Sequence, residues 1–121
     1  MGNRVVPMIH VPDVRATAEW YQAIGFALMR ANEDEGEMDW ALLSIGDSEV
    51  MLSEGGHASI DYRREVDLYV HTEDVEGWYQ RLSGSVEVVE GVHDTVYGMR
   101  ELIIRDLNGF WITFGQPTSK E

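Results

Sequence analysis

Residues 97–115 read YGMRELIIRDLNGFWITFG, two runs of strand-forming residues on either side of a turn signal, and the rest of the chain is placed relative to them. In Asp106-Leu107-Asn108-Gly109 the Asp and Asn side chains can bond nearby backbone, and Gly109 tolerates positive φ. Apolar, β-branched and aromatic flanks then make the whole a β-hairpin. Beyond the turn, Phe110, Ile112 and Phe114 alternate with Trp111 and Thr113. One face is therefore core, and the other carries a large aromatic ring beside a small hydroxyl. Function is sought on that second face.

Upstream of this hairpin, residues 66–71 read as a strand, and Asp74 as the cap of a helix with Val75, Trp78, Tyr79 and Leu82 at i, i+3, i+4 and i+7. A strand over residues 86–91 follows, then an irregular stretch through His93 and Asp94. The first half has the same order. A strand over residues 5–11 stops at Pro12, and Asp13 caps a helix whose apolar positions are Val14, Ala18, Tyr21 and Ile24, closed by Gly25. Residues 26–31 read as a strand and residues 32–36 (NEDEG) as an acidic, solvated, mobile loop. Strands over residues 39–45 and 49–53 pair around Gly46-Asp47. Residues 55–64 (GGHASIDYRR) lack periodicity and read as the linker.

The repetition extends to the residues themselves. Ile9-His10-Val11-Pro12-Asp13-Val14 aligns with Val70-His71-Thr72-Glu73-Asp74-Val75, an offset of 61 (71 − 10), and Trp20-Tyr21-Gln22 aligns with Trp78-Tyr79-Gln80, an offset of 58 (78 − 20). The second helix is one turn shorter. Such self-similarity implies two copies of one supersecondary unit. The fold class is α+β, with two βαβββ modules in pseudo-symmetric tandem forming a curved sheet around a concave pocket. Module one spans about residues 4–54, the linker 55–65 and module two 66–116, within a single domain over residues 1–121.

Length and 44% hydrophobic content suffice for one compact domain. Nine basic against 22 acidic residues leave a net charge of −13, which argues against nucleic acid and anionic membrane surfaces and favours cationic ligands. No Cys is present, so disulfides, thiolate nucleophiles and Cys-ligated metals are excluded. No apolar run approaches the roughly 20 residues of a membrane span, and the N-terminus lacks a secretory apolar region. A cytoplasmic location is expected. No serine or threonine has a recognisable His-plus-acid frame and no Gly-rich phosphate loop follows a strand, so no catalytic residue is assigned.

The segments VPDVRATAEWYQAIGF and YGMREL…RDLNGFWITF, together with the duplicated unit, resemble the vicinal oxygen chelate superfamily. That group includes glyoxalase I, bleomycin-resistance proteins, fosfomycin-modifying enzymes and extradiol dioxygenases. Its usual closing turn is Asp-Pro-Asp-Gly, where this chain has Asp106-Leu107-Asn108-Gly109. The resemblance implies metal-ligand positions on the first strand of each half and on the last strand, here Val6, Asp67 and Thr113, with a fourth near Met51. Val and Met give no hard-donor ligand, and Asp67 with Thr113 falls short of the three ligands a catalytic divalent site needs. No cofactor is therefore expected; the alternative is a divalent metal in a displaced site drawn from His10, Asp67, His71 or Glu101. His10 and His71, mates in the repeat, read as hydrogen-bonding groups at helix starts or as pocket lining. His57 and His93 carry less signal.

If the metal-equivalent positions face the concavity, alternation points Val6, Met8, His10, Trp40, Leu42, Ser44, Glu49, Met51, Ser53, Asp67, Tyr69, His71, Met99, Glu101, Ile103, Trp111 and Thr113 inward. Ile9, Leu43, Val50, Leu52, Leu68, Val70, Leu102, Ile104, Ile112 and Phe114 then face the helices. The inward set holds no Lys or Arg. Aromatic rings beside carboxylates suit a flat cationic ligand. The expected ligand-binding residues are Met8, His10, Trp40, Met51, Asp67, Tyr69, Met99, Glu101, Trp111 and Thr113. The resulting expectation is a metal-free protein that resembles bleomycin-resistance proteins and sequesters an amphipathic, cationic aromatic molecule. The alternatives are a metal-dependent lyase, isomerase or dioxygenase, and an interaction domain whose concavity a partner subunit fills. Half-barrel edges need cover, so a homodimer is expected.

Overall fold

Asp13 opens the first helix by accepting the Ala16 amide at 3.0 Å, which satisfies a donor that the helix itself cannot. The structure, a computed structural model, describes residues 2–59 and 63–118, so residues 60–62 of the expected linker lie outside the described residues. The chain divides into two compact units, Met1–Ala58 and Ser59–Glu121. Each has its own four-stranded mixed sheet, and neither sheet closes on itself.

The first unit contains β1 (Met8–Val11), α1 (Val14–Ile24), β2 (Ala27–Asp34), β3 (Glu37–Ile45) and β4 (Ser48–Glu54). Its sheet order is β1-β4-β3-β2, with β1 parallel to β4. Val14, Ala18, Tyr21 and Ile24 lie on the buried face of α1, and Ile9, Ala41, Leu43, Val50 and Leu52 are buried on the sheet. Each fully buried Leu of this kind contributes about 1.5–3 kcal/mol. These positions alternate with the half-buried Trp40, Leu42, Ser44, Glu49, Met51 and Ser53, as the sequence period requires.

Two boundaries differ from expectation. The expected acidic loop is instead the tip of a hairpin: Asn32, Glu33 and Asp34 pair with Trp40, Met38 and Glu37 across the Glu35-Gly36 turn. Both its faces are exposed, so no apolar alternation marks it. Backbone pairing holds it, aided by an Arg15–Glu33 ion pair at 2.5 Å and an Asn32–Asp39 hydrogen bond at 2.9 Å. β1 begins at Met8 rather than residue 5, because Pro7 has no N–H to donate, although its carbonyl accepts the Met51 amide at 2.8 Å.

In the second unit β5 (Leu68–His71), α2 (Val75–Leu82), β6 (Glu87–Asp94), β7 (Met99–Arg105) and β8 (Trp111–Pro117) repeat the plan, in sheet order β5-β8-β7-β6. Asp74 caps α2 by accepting the Gly77 amide at 3.0 Å. With 8 residues against 11, α2 is three residues shorter, the difference between the two sequence offsets. Register makes the repeat residue-specific. His10–Ser53–Trp40 form one cross-strand row in the first sheet, where the second has His71–Gly115–Glu101. Likewise Met8–Met51–Leu42 corresponds to Tyr69–Thr113–Ile103. β6 runs on through His93 and Asp94, expected to be irregular, which pair with Glu101 and Arg100. Register shifts on both sides of Glu90 break the two-residue period, and the strand loses its sequence signature.

The β7–β8 turn forms as its sequence dictates. The buried Asp106 carboxylate accepts the Asn108 and Phe110 amides at 2.8 and 2.9 Å. Gly109 has φ +94°, and a Cβ there would lie 1.8 Å from the Ser59 carbonyl oxygen. Ser59 N–H and the Arg64 guanidinium both donate to the Asn108 carbonyl, at 3.2 and 2.7 Å, while Arg64 covers the Phe110 ring at 4.2 Å. The downstream part of the linker is thus strapped over the turn. Among the described residues, no helix is long and apolar enough to cross a membrane.

Candidate ligand-binding face

β5, β8 and β7 bring Tyr69, Thr113 and Glu101 onto the face of the second sheet opposite the apolar Leu102, Ile104, Ile112 and Phe114. Glu101 is only 3% exposed, and a carboxylate taken that far from water requires donors. Tyr69 donates its phenol to Glu101 Oε2 at 2.7 Å, and Tyr97 donates at 2.8–2.9 Å. Tyr69 reaches across Gly115 to do so: a Cβ at residue 115 would lie 2.0 Å from the Tyr69 oxygen. His93 Nε2 stands 4.0 Å from Glu101 and 3.8 Å from Glu90, and the His71 ring lies 4.9 Å from that of Tyr69. Burial, then the hydrogen bond and charge of Glu101, push the Tyr69 phenol above its ordinary range. The hydrogen bond to Glu101, followed by desolvation, raises Tyr97 as well. Both phenols are therefore held as neutral donors.

Asp67 immediately precedes β5, one alternation from Tyr69, and Trp111 begins β8 one alternation from Thr113. The expectation that no arginine shares this face is corrected here. Arg63 ion-pairs with Asp67, and its guanidinium lies 4.2 Å over the Trp111 ring. This cation comes from the linker, where periodicity gives no direction for a side chain; a second arginine, Arg105, is the register partner of Trp111 and ion-pairs with Glu87 at 2.5 Å. The buried Trp111 indole nitrogen has no hydrogen-bond partner among the described residues. Met99, at the start of β7, is half-buried and pairs with Pro117, at the far end of the hairpin from Trp111.

The first unit carries the apolar counterpart. Met8 and Met51 are register partners, Met8 being 47% exposed, and Trp40 occupies the position that Glu101 holds in the second unit. His10 bonds the Glu54 carbonyl through Nδ1 at 3.1 Å. One module presents sulfur and indole where its repeat presents phenol, hydroxyl and carboxylate.

Three residues outside the expected set, Arg63, His93 and Tyr97, thus join the site. Tyr97 precedes β7, beyond the reach of strand alternation, and no signal in the sequence pointed to it. The metal-equivalent residues do not fit a catalytic divalent ion: Val6 and Met51 lack hard donors, and Asp67 is engaged by Arg63. Among the described residues no three His, Asp or Glu side chains converge as a metal site. Of the displaced set, Glu101 accepts from two phenols and the His71 ring lies against Tyr69.

Tandem βαβββ modules, each with one helix-covered face and one polar or sulfur-rich face, define a class of small α+β protein. The chain belongs to the Glyoxalase/Bleomycin resistance protein/Dioxygenase superfamily, which it matches over residues 3–114. Among solved structures it is similar to TioX from Micromonospora sp. ML1 at 22% identity, with TM-score 0.78 and 96% of this chain and 99% of that one covered. It is also similar to a bleomycin-binding protein complexed with bleomycin, at 14% identity and TM-score 0.74 over 95% and 98% of the two chains. TnmS3, an antibiotic binding protein from Streptomyces sp. CB03234, is 22% identical with TM-score 0.67 over 97% and 98%. At such identities the likeness speaks to the fold. No curated protein sequence matches the chain.

Proposed function

We propose that this protein binds an amphipathic, cationic aromatic small molecule and holds it without chemistry, as bleomycin-resistance proteins do. The observation that carries this reading is the Trp111–Asp67 pair, which already engages a planar cation, Arg63. Ring face and carboxylate together suit such a group by cation–π attraction of about 0.5–2 kcal/mol and by charge pairing. On the same sheet Tyr69, Tyr97 and Glu101 add oriented donors and a second negative charge; the first module, taken by itself, offers an adaptable apolar face of Met8, Trp40 and Met51. The net charge of −13 favours approach of a cation. Solved proteins of this fold include one complexed with bleomycin and one described as antibiotic binding, which supports the same class of ligand.

The protein acts in this reading as a metal-free homodimer in the cytoplasm. The outer strands β2 and β6, eight residues each, are paired on one side only within their sheets, which supports a partner that covers them. Titration calorimetry against basic aromatic compounds, bleomycin-type glycopeptides among them, tests the binding. Affinity tighter than roughly millimolar is expected, and none tighter contradicts the proposal. Metal analysis of untagged protein tests the rest: a stoichiometric Fe, Mn, Ni or Zn ion would restore the lyase, isomerase or dioxygenase reading.

A further inference from the structure

We infer that Trp111 and Asp67 form a subsite for an amidinium or guanidinium head group, and that Arg63 fills it as an internal stand-in which the ligand displaces. This inference rests on the binding function proposed above. Arg63 and Arg64 are adjacent yet differently employed. Arg64 bonds the Asn108 carbonyl at 2.7 Å and stacks on Phe110, so it fastens the linker to the turn. Among the described residues, Arg63 is held by side chains, the Asp67 carboxylate and the Trp111 ring. Its side chain is 57% exposed, against 28% for Asp67.

The cation is therefore the outer member of the pair, and the acid is the more buried one. An exposed ion pair is weak, so release of Arg63 is cheap. Because the Arg64 side chain fastens the neighbouring residue to the Asn108 carbonyl, Arg63 can leave by side-chain rotation alone. Planarity matters. A guanidinium or amidinium stacks on an indole while donating in its own plane to a carboxylate, which an ammonium cannot do. A tethered competitor lowers apparent affinity by the fraction of time for which it vacates the subsite.

Benzamidine, a planar aromatic cation, is the probe, and its dissociation constant is read from the Trp111 indole N–H resonance. R63Q should bind it about 5- to 30-fold more tightly than the natural chain, the range given by one stacked ion pair. R63K should gain less, since lysine retains charge and loses planarity. D67N added to R63Q should abolish the gain. Equal or weaker binding by R63Q overturns the stand-in role, while continued binding of basic aromatics by the natural chain leaves the broader proposal intact. Absence of binding to every variant and to the natural chain overturns both.

Discussion

The phenol of Tyr69 passes over Gly115, so close that a Cβ at residue 115 would lie 2.0 Å from its oxygen. This crossing lets a residue on the edge strand β5 reach past β8 to a carboxylate on β7. In the other module the position of Gly115 is held by Ser53 and that of Glu101 by Trp40. The two modules share a backbone plan and differ in the chemistry laid upon it.

Gly115→Ala should force the Tyr69 ring aside and remove one donor from a buried acid. The expected loss is about 1–3 kcal/mol, read from denaturant midpoints. Tyr69→Ala removes the obstruction, so the double variant should be less destabilised than the sum of the two singles. Full additivity would show that the ring does not rest on Gly115.

Alkaline titration tests the Glu101 cluster. A phenol pKa raised by folding adds stability that is fully present below its ordinary value of about 10 and is lost as pH rises through the folded value. Glu101→Gln removes the carboxylate charge while leaving the burial of Tyr69. Phenolate absorbance should then appear at lower pH than in the natural protein, and the alkaline loss of stability, which sets in near the ordinary phenol value in both proteins, should level off at lower pH and be smaller. Superimposable titration curves would contradict the arrangement.

Asp106→Ala should orphan two amides in the buried β7–β8 turn and cost about 3 kcal/mol. Asp106→Asn, which retains an acceptor, should cost less. Thermal melts of both variants decide this, and equal losses would mean that the side-chain carbonyl cannot replace the carboxylate.

Much of the fold was legible because its signals are local. Asp13 and Asp74 cap helices, and Asp106 and Gly109 shape a turn through groups a few residues away. Alternation separates Leu43 and Leu52 from Trp40 and Met51 because β3 and β4 keep an unbroken two-residue period where they pair. That logic fails at β6, where irregular register places His93 beside Glu101, and at the exposed β2 hairpin tip, which buries no face. Arg63 was illegible for another reason: it meets Asp67 and Trp111 through tertiary contacts that no period in the linker encodes.

The most direct measurement follows the four tryptophan indole resonances during titration with a basic aromatic ligand. Trp40 and Trp111 lie on the proposed binding faces, while Trp20 is on α1 and Trp78, on α2, stacks on the core residue Phe114 and donates to Thr72. The account predicts a saturable shift at Trp111 with Trp20 and Trp78 unmoved. Shifts confined to Trp20 and Trp78, or no shift at any of the four, would contradict it.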